Sequence, residues 1–96
     1  ETIVAVIGTG PIALGIVALA KTMGAGRIIA VGRTDSKLQR CLDAGATDIV
    51  NNTRVDAGEE VYRITNGHGA DFVLETSGAT PTVQQAIDFI QANVKA

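Results

Sequence analysis

Small residues recur at a fixed spacing in Gly8-x-Gly10-x-x-Ala13, where an apolar run gives way to strong helix formers. Gly8 permits a backbone turn that a Cβ would obstruct, Gly10 allows close approach of a pyrophosphate, and Ala13 allows tight packing of helix on strand. The amides that open the helix, aided by its dipole, then face the phosphates. An ordinary tight turn is the alternative. The pattern predicts a nucleotide-phosphate site formed by six consecutive residues, Gly8, Thr9, Gly10, Pro11, Ile12 and Ala13.

A second group of residues with specific chemistry follows the next β-branched run, at Gly32-Arg33-Thr34. Enzymes that select NAD usually carry Asp or Glu here, which accepts hydrogen bonds from the ribose hydroxyls. Gly32 instead leaves space, Arg33 offers the donor fork that suits a phosphate, and Thr34 and Lys37 add a hydroxyl and a second cation. We therefore predict NADP as the preferred cofactor. In the alternative, which favours NAD, Arg33 is a solvated loop charge and Asp35 reaches back to the ribose.

The elements that position these residues alternate regularly along the chain. Strands are predicted at residues 3–7, 27–31, 48–50 and 70–75, and helices at 11–23, 36–44, 56–66 and from residue 80 onward. Strands that are separated by helices must be joined by crossovers, which makes the sheet parallel. The expected fold is α/β, a three-layer, doubly wound parallel sheet of four βα units with strand order 3-2-1-4. The apolar face of the fourth helix is predicted to comprise Val83, Ala86, Ile87 and Ile90.

Composition limits the class of protein. The chain has 96 residues, 46% of them hydrophobic, a formal net charge of −2 and one cysteine. These values fit one small globular domain and argue against a nucleic-acid or anionic-membrane surface. The longest apolar stretch, residues 12–20, contains a glycine and is too short to span a bilayer. A lone cysteine excludes an internal disulfide framework and suits a cytoplasmic protein.

Several segments together resemble a known family. The run from Gly8 to Gly15 is followed by the segments at 26–31, 42–48 and 65–78, the last containing Thr76-Ser77-Gly78. This combination is similar to the coenzyme domain of medium-chain, zinc-type alcohol dehydrogenases, and its glycine at position 32 resembles the NADP-dependent secondary alcohol dehydrogenases. The resemblance implies a Rossmann domain that holds NAD(P) for hydride transfer to or from an alcohol or carbonyl substrate. It also implies cofactor contacts from Thr76, Ser77 and Gly78.

The resemblance further implies that much of the enzyme lies outside this chain. In that family a separate catalytic domain carries the zinc ligands and the proton relay, and one Cys and one His cannot replace them. A six-stranded dinucleotide fold also needs two more strands. Residues 1–96, which begin without Met, are therefore expected to be a partial dinucleotide-binding domain, not catalytic alone. Its expected partners are the dinucleotide, the missing catalytic domain and, less specifically, further copies of itself.

Two rival interpretations remain open. Regulatory nucleotide-sensing modules, such as the ligand-gated domains of ion transporters, also use a strand, a glycine turn and a helix without any catalysis. An inactive oligomerising fragment is the second rival, because the apolar run Phe72-Val73-Leu74 would form an exposed sheet edge.

The other residues with reactive or ionisable side chains are predicted to have structural roles. Cys41 is predicted to be a small core residue, His68 an exposed turn residue, and Glu59-Glu60 a helix N-terminal charge pair. Tyr62 is predicted to be half-buried on its helix. Glu75 lies at the carboxyl end of a strand, where a packing role is favoured over a catalytic one.

Overall fold

A computed structural model of the chain describes residues 1–76. Its elements, in chain order, are β1 (Ile3–Ile7), α1 (Pro11–Thr22), β2 (Arg27–Gly32), α2 (Asp35–Ala44), β3 (Asp48–Asn51), α3 (Ala57–Ile64) and β4 (Phe72–Glu75). The predicted alternation of strands and helices is confirmed over this range. The predicted fourth helix, with Val83, Ala86, Ile87 and Ile90, and the predicted contacts Ser77 and Gly78 lie outside the described residues.

The four strands form one parallel sheet in the order β3-β2-β1-β4, which confirms the predicted order. In the centre of the sheet, Ala5 of β1 pairs with Ile29 of β2 on one side and with Val73 of β4 on the other. The chain order reverses between β1 and β4. In an open sheet of this kind, ligands bind outside the carboxyl ends of the strands at such a reversal.

Helices cover both faces of the sheet, which confirms the three-layer arrangement. On one face α1 and α2 pack on β1 and β2, and the core side chains there include Val4, Val6, Ile16, Ile28 and Leu38. On the other face α3 packs through Val61 and Ile64 on a smaller cluster formed by Ile3, Ile29, Val31 and Val50. Because both faces of β1 and β2 are covered, these strands are apolar at nearly every position.

The helix ends follow from specific residues. Pro11 opens α1, and Gly24, with φ +86°, ends it while the amide of Ala25 donates to the Ala20 carbonyl at 3.0 Å. At α3 the Asp56 carboxylate accepts a hydrogen bond from the Glu59 amide at 2.9 Å and so caps the helix. The short connections at residues 8–10 and 33–34 place the amino ends of α1 and α2 at the same edge of the sheet as the carboxyl ends of β1 and β2.

Several predicted bounds and one predicted burial differ in the structure. The helices run over 11–22, 35–44 and 57–64, against the predicted 11–23, 36–44 and 56–66. β4 begins at Phe72 and not at residue 70, because Gly69 has φ +74° and turns the chain just before the strand. β2 and β3 each run one residue further, since Gly32 pairs with Asn51 at the end of their ladder. Tyr62, predicted to be half-buried, is 58% exposed.

Candidate functional site

A cavity of about 380 Å³ lies over the carboxyl ends of β1 and β2. Eight of the residues singled out by the sequence line it: Gly8, Thr9, Gly10, Gly32, Arg33, Thr34, Lys37 and Thr76. The cavity is completed by Ile7, Val31 and Asn52. Pro11, Ile12 and Ala13 do not line it; Ala13 is fully buried beneath α1, as expected for a residue that brings helix and strand together.

The glycine turn exposes backbone at one end of the cavity. Gly8 has φ +123°, and its amide donates to the Val31 carbonyl at 2.9 Å, which ties the turn to β2. Gly10 is extended, and a Cβ built on it would meet no atom of the described residues within 4 Å. The first helical hydrogen bond runs from the Leu14 amide to the Gly10 carbonyl at 3.0 Å. The preceding amides of Ile12 and Ala13 have no acceptor within the helix, which is the arrangement that binds anions.

Gly32 was predicted to leave space at the position where an acid would select NAD, and this is wrong, because neighbouring side chains fill that space. A Cβ added to Gly32 would lie 2.4 Å from Thr9 Cγ2 and 3.2 Å from Leu38 Cδ2. The residue itself is buried. A side chain at position 32 therefore requires the Thr9 side chain to move, so the glycine fits the present position of Thr9 and also brings no charge.

Basic and polar groups surround the other end of the cavity. Arg33, Thr34 and Lys37 are exposed around the start of α2 and present two cations and a hydroxyl. Asn52 also lines the cavity and was not predicted from the sequence. Its position directly after β3 could have indicated this, because β3 ends at the same edge of the sheet as β2. The backbone N–H of Asn52 donates a hydrogen bond to the Gly32 carbonyl at 2.9 Å.

Asp35, the acid that could have reached a ribose, is engaged elsewhere. Both of its oxygens accept from the Arg54 guanidinium, at 3.0 and 2.6 Å, and Asn51 Nδ2 donates to the first of them at 2.8 Å. The hydrogen bonds from Arg54 and Asn51 lower the pKa of Asp35, with a smaller contribution from the Arg54 charge. The sequence did not single out Arg54, which lies 19 residues away in the turn after β3.

Thr76 borders the cavity on the β4 side. Its amide and its hydroxyl both donate to the Ile7 carbonyl, each at 2.8 Å, and so continue the pairing of β4 with β1. Thr76 thus lies beside the glycine turn, across the point where the strand order reverses.

The other chemically capable residues have structural surroundings. Cys41 is fully buried, and that burial raises the pKa of its thiol, which confirms its core role. His68 is exposed, as predicted, and Glu60 is paired with Arg63 within α3. Glu75 is exposed on β4 and is not among the residues that line the cavity. Over residues 1–76, no group of three or more His, Cys, Asp or Glu is arranged to hold a metal ion.

Comparison with known families agrees with this geometry. The family model described as zinc-binding dehydrogenase matches residues 11–94. The chain belongs to the zinc-binding dehydrogenase family. It is 43% identical over 84 residues to L-threonine 3-dehydrogenase of Bacillus licheniformis, and 42% identical over 88 residues to NADP-dependent isopropanol dehydrogenase of Entamoeba histolytica. These alignments cover 88% and 92% of this chain.

Solved structures of dehydrogenases share the fold. An alcohol dehydrogenase zinc-binding domain protein from Burkholderia ambifaria superposes with a TM-score of 0.78 at 34% identity, over 91% of this chain and 23% of that one. Alcohol dehydrogenase TADH from Thermus sp. ATN1 gives 0.74 at 35% identity, over 88% and 24%. This zinc-binding dehydrogenase chain spans 24% of the length of the two curated relatives named above. Within the described residues, none of its helices has the length and apolar character needed to cross a membrane.

Proposed function

We propose that this chain is the coenzyme-binding part of an alcohol-dehydrogenase-like oxidoreductase and that it prefers NADP to NAD. The observation that carries the proposal is the single cavity that joins the glycine turn after β1 to the basic group after β2. A dinucleotide needs both: donors for its pyrophosphate at one end and a site for the adenosine ribose at the other.

The pyrophosphate is assigned to the start of α1. The amides of Ile12 and Ala13 have no acceptor within the helix, and together with the helix dipole they favour negative charge there. Because a Cβ on Gly10 would meet no atom of residues 1–76 within 4 Å, the glycine keeps the approach to these amides clear.

The 2′-phosphate is assigned to Arg33, Thr34 and Lys37. Arg33 supplies paired N–H donors and Lys37 a second positive charge, while Gly32 contributes no repelling carboxylate. Side-chain atoms of Thr9 and Leu38 lie where a Cβ on Gly32 would be, so the ribose is assigned a place beside the Thr9 side chain, with no acid at position 32. Asn52, which carries a polar side chain, also lines the cavity beside these residues.

Hydride chemistry is supplied by the nicotinamide ring of the cofactor when it is bound. The residues of this chain hold and orient the dinucleotide, and Thr76, with Ser77 and Gly78 next to it in sequence, is proposed to approach its nicotinamide half. Substrate binding and any catalytic zinc are assigned to a further domain of the parent enzyme. The single cysteine is reduced and buried, which fits the cytoplasmic location we propose.

The relatives support this assignment. One is named for NADP dependence and an alcohol substrate, and the match to dehydrogenases extends over most of the chain. That extent favours an oxidoreductase over a regulatory nucleotide-sensing module. The named relatives act on different substrates, and the substrate class that we propose is an alcohol or carbonyl compound.

Calorimetric titration of the chain with NADP and with NAD tests the proposal. We expect tighter binding of NADP, and Arg33→Ala should weaken it about tenfold while changing NAD binding little, since hydrogen bonds to charged groups are worth this much. Arg40→Ala is the matched control, because Arg40 is an exposed cation on α2 that does not line the cavity. Failure of both dinucleotides to bind at millimolar concentration would overturn the proposal.

A further inference from the structure

Asp35 is the acid that lies closest in sequence to the residues proposed to hold the 2′-phosphate. It follows Thr34 directly and precedes Lys37 by two positions, and both of these line the cavity. A free carboxylate at this place would repel a 2′-phosphate and would accept hydrogen bonds from ribose hydroxyls, which is how an acid selects NAD. The chain therefore carries, beside its basic group, a residue that opposes NADP.

The structure shows how that carboxylate is occupied. Arg54 binds it through two parallel N–H donors, the geometry that matches a guanidinium to a carboxylate. Asn51 adds a third hydrogen bond, and its Nδ2 also lies 3.4 Å from the Arg33 carbonyl oxygen. The end of β3 and the turn after it thus contact the segment from Arg33 to Asp35 at two points, the Arg33 carbonyl and the Asp35 carboxylate.

We propose that Arg54, assisted by Asn51, is a positioning residue for coenzyme specificity: it neutralises Asp35 and holds it off the ribose, so that the cavity accepts a 2′-phosphate. This inference rests on the proposed function, since it concerns the preference between two forms of the same cofactor. Arg54 itself does not line the cavity and is not expected to contact the cofactor.

Charge supports the assignment. With Arg54 present, the single negative charge of Asp35 is matched, and the positive charges of Arg33 and Lys37 remain for the ligand. Without Arg54, the negative charge of the Asp35 carboxylate would offset one of the positive charges of Arg33 and Lys37. At surface dielectric and separations of several ångströms, one such charge acting on a doubly charged phosphate changes affinity about threefold to tenfold.

Because Arg54 is exposed, its effect on cofactor preference can be tested with little effect on folding. The side chains of Arg54 and Asp35 are 66% and 58% exposed. Exposed ion pairs contribute little to stability, so removal of the pair should leave the fold intact. A change in cofactor preference can then be separated from a loss of folding.

The experiment uses Arg54→Met, which keeps an apolar stem and removes the charge, and the double variant Asp35→Asn with Arg54→Met. Arg40→Met is the matched control. For each protein, calorimetry gives Kd for NADP and for NAD, and thermal unfolding gives Tm. We expect Arg54→Met to weaken NADP binding about threefold to tenfold, to leave NAD binding equal or tighter, and to keep Tm nearly unchanged. The double variant should restore NADP binding.

Each other outcome decides against the inference. If Arg54→Met weakens NADP and Asp35→Asn does not rescue it, Arg54 contacts the phosphate directly. If both cofactors weaken equally, its role is structural. If wild type prefers NADP and Arg54→Met leaves that preference unchanged, this inference fails and the proposed function stands. If wild type binds neither cofactor, both fail.

Discussion

Gly32 and Thr9 are packed so closely that a Cβ on Gly32 would lie 2.4 Å from Thr9 Cγ2. One of these residues ends β2 and the other lies in the glycine turn after β1. The absence of an acid at position 32 is therefore linked to the residue between Gly8 and Gly10. A substitution at position 32 that changes cofactor preference must therefore make room beside Thr9 as well as change the charge next to the 2′-phosphate.

Gly32→Ala and Gly32→Asp separate these two conditions. Gly32→Ala should lower Tm and weaken both dinucleotides similarly, because its methyl group displaces Thr9. Gly32→Asp should in addition weaken NADP by about tenfold or more relative to NAD, through repulsion of the 2′-phosphate. Adding Thr9→Ala should recover the Tm of both variants without recovering NADP binding by Gly32→Asp. Equal cofactor preferences in Gly32→Ala and Gly32→Asp would contradict the assigned 2′-phosphate position.

Gly8 and Gly10 should respond differently to the same substitution. Gly8 has φ +123°, so Gly8→Ala should destabilise the fold by about 1–3 kcal/mol, measured by denaturant unfolding. Gly10 has φ −78°, and a Cβ there would contact none of the residues that the structure describes, so Gly10→Ala should keep wild-type stability. Gly10→Val should likewise fold but lose dinucleotide binding. Retained binding by Gly10→Val would show that the pyrophosphate does not approach this residue.

The pKa of Asp35 gives a direct measure of its hydrogen bonds. Arg54 and Asn51 hold this pKa below its ordinary value, so the pair stabilises the fold fully above the ordinary carboxyl range and loses that effect as pH falls through the lowered pKa. Arg54→Met should raise the Asp35 pKa in a carboxyl NMR titration, and Asn51→Ala should raise it less. An unchanged Asp35 pKa in Arg54→Met would mean that the ion pair is not formed in solution.

Cys41 should be unreactive in the folded chain. It is fully buried on α2, and burial raises its pKa, so little thiolate is present or accessible at neutral pH. An aromatic disulfide reagent should label it only at the rate of unfolding, and at once in strong denaturant. Fast labelling of a folded sample, with native circular dichroism, would contradict its placement in the core.

Much of this fold could be predicted from the sequence because its signals are local. Apolar runs, glycines that end helices and the alternation of elements fix the parallel sheet, and the glycine turn follows from its place between β1 and α1. Asn52 and Arg54 could not be found in this way, since their contacts depend on where β3 lies beside β2. The exposure of Tyr62 was missed for a related reason: helical spacing alone does not show how far α3 covers its face of the sheet.

The central claim is that one dinucleotide lies across the cavity from the glycine turn to the start of α2. Amide chemical-shift mapping with NADP tests it most directly. With NADP we predict the largest shifts at Gly10, Ile12 and Ala13 and at residues 33–37. NAD should cause similar shifts at the first three residues and much smaller shifts at residues 33–37. Shifts centred instead on the opposite edge of the sheet, around His68 and Asp71, would contradict the account.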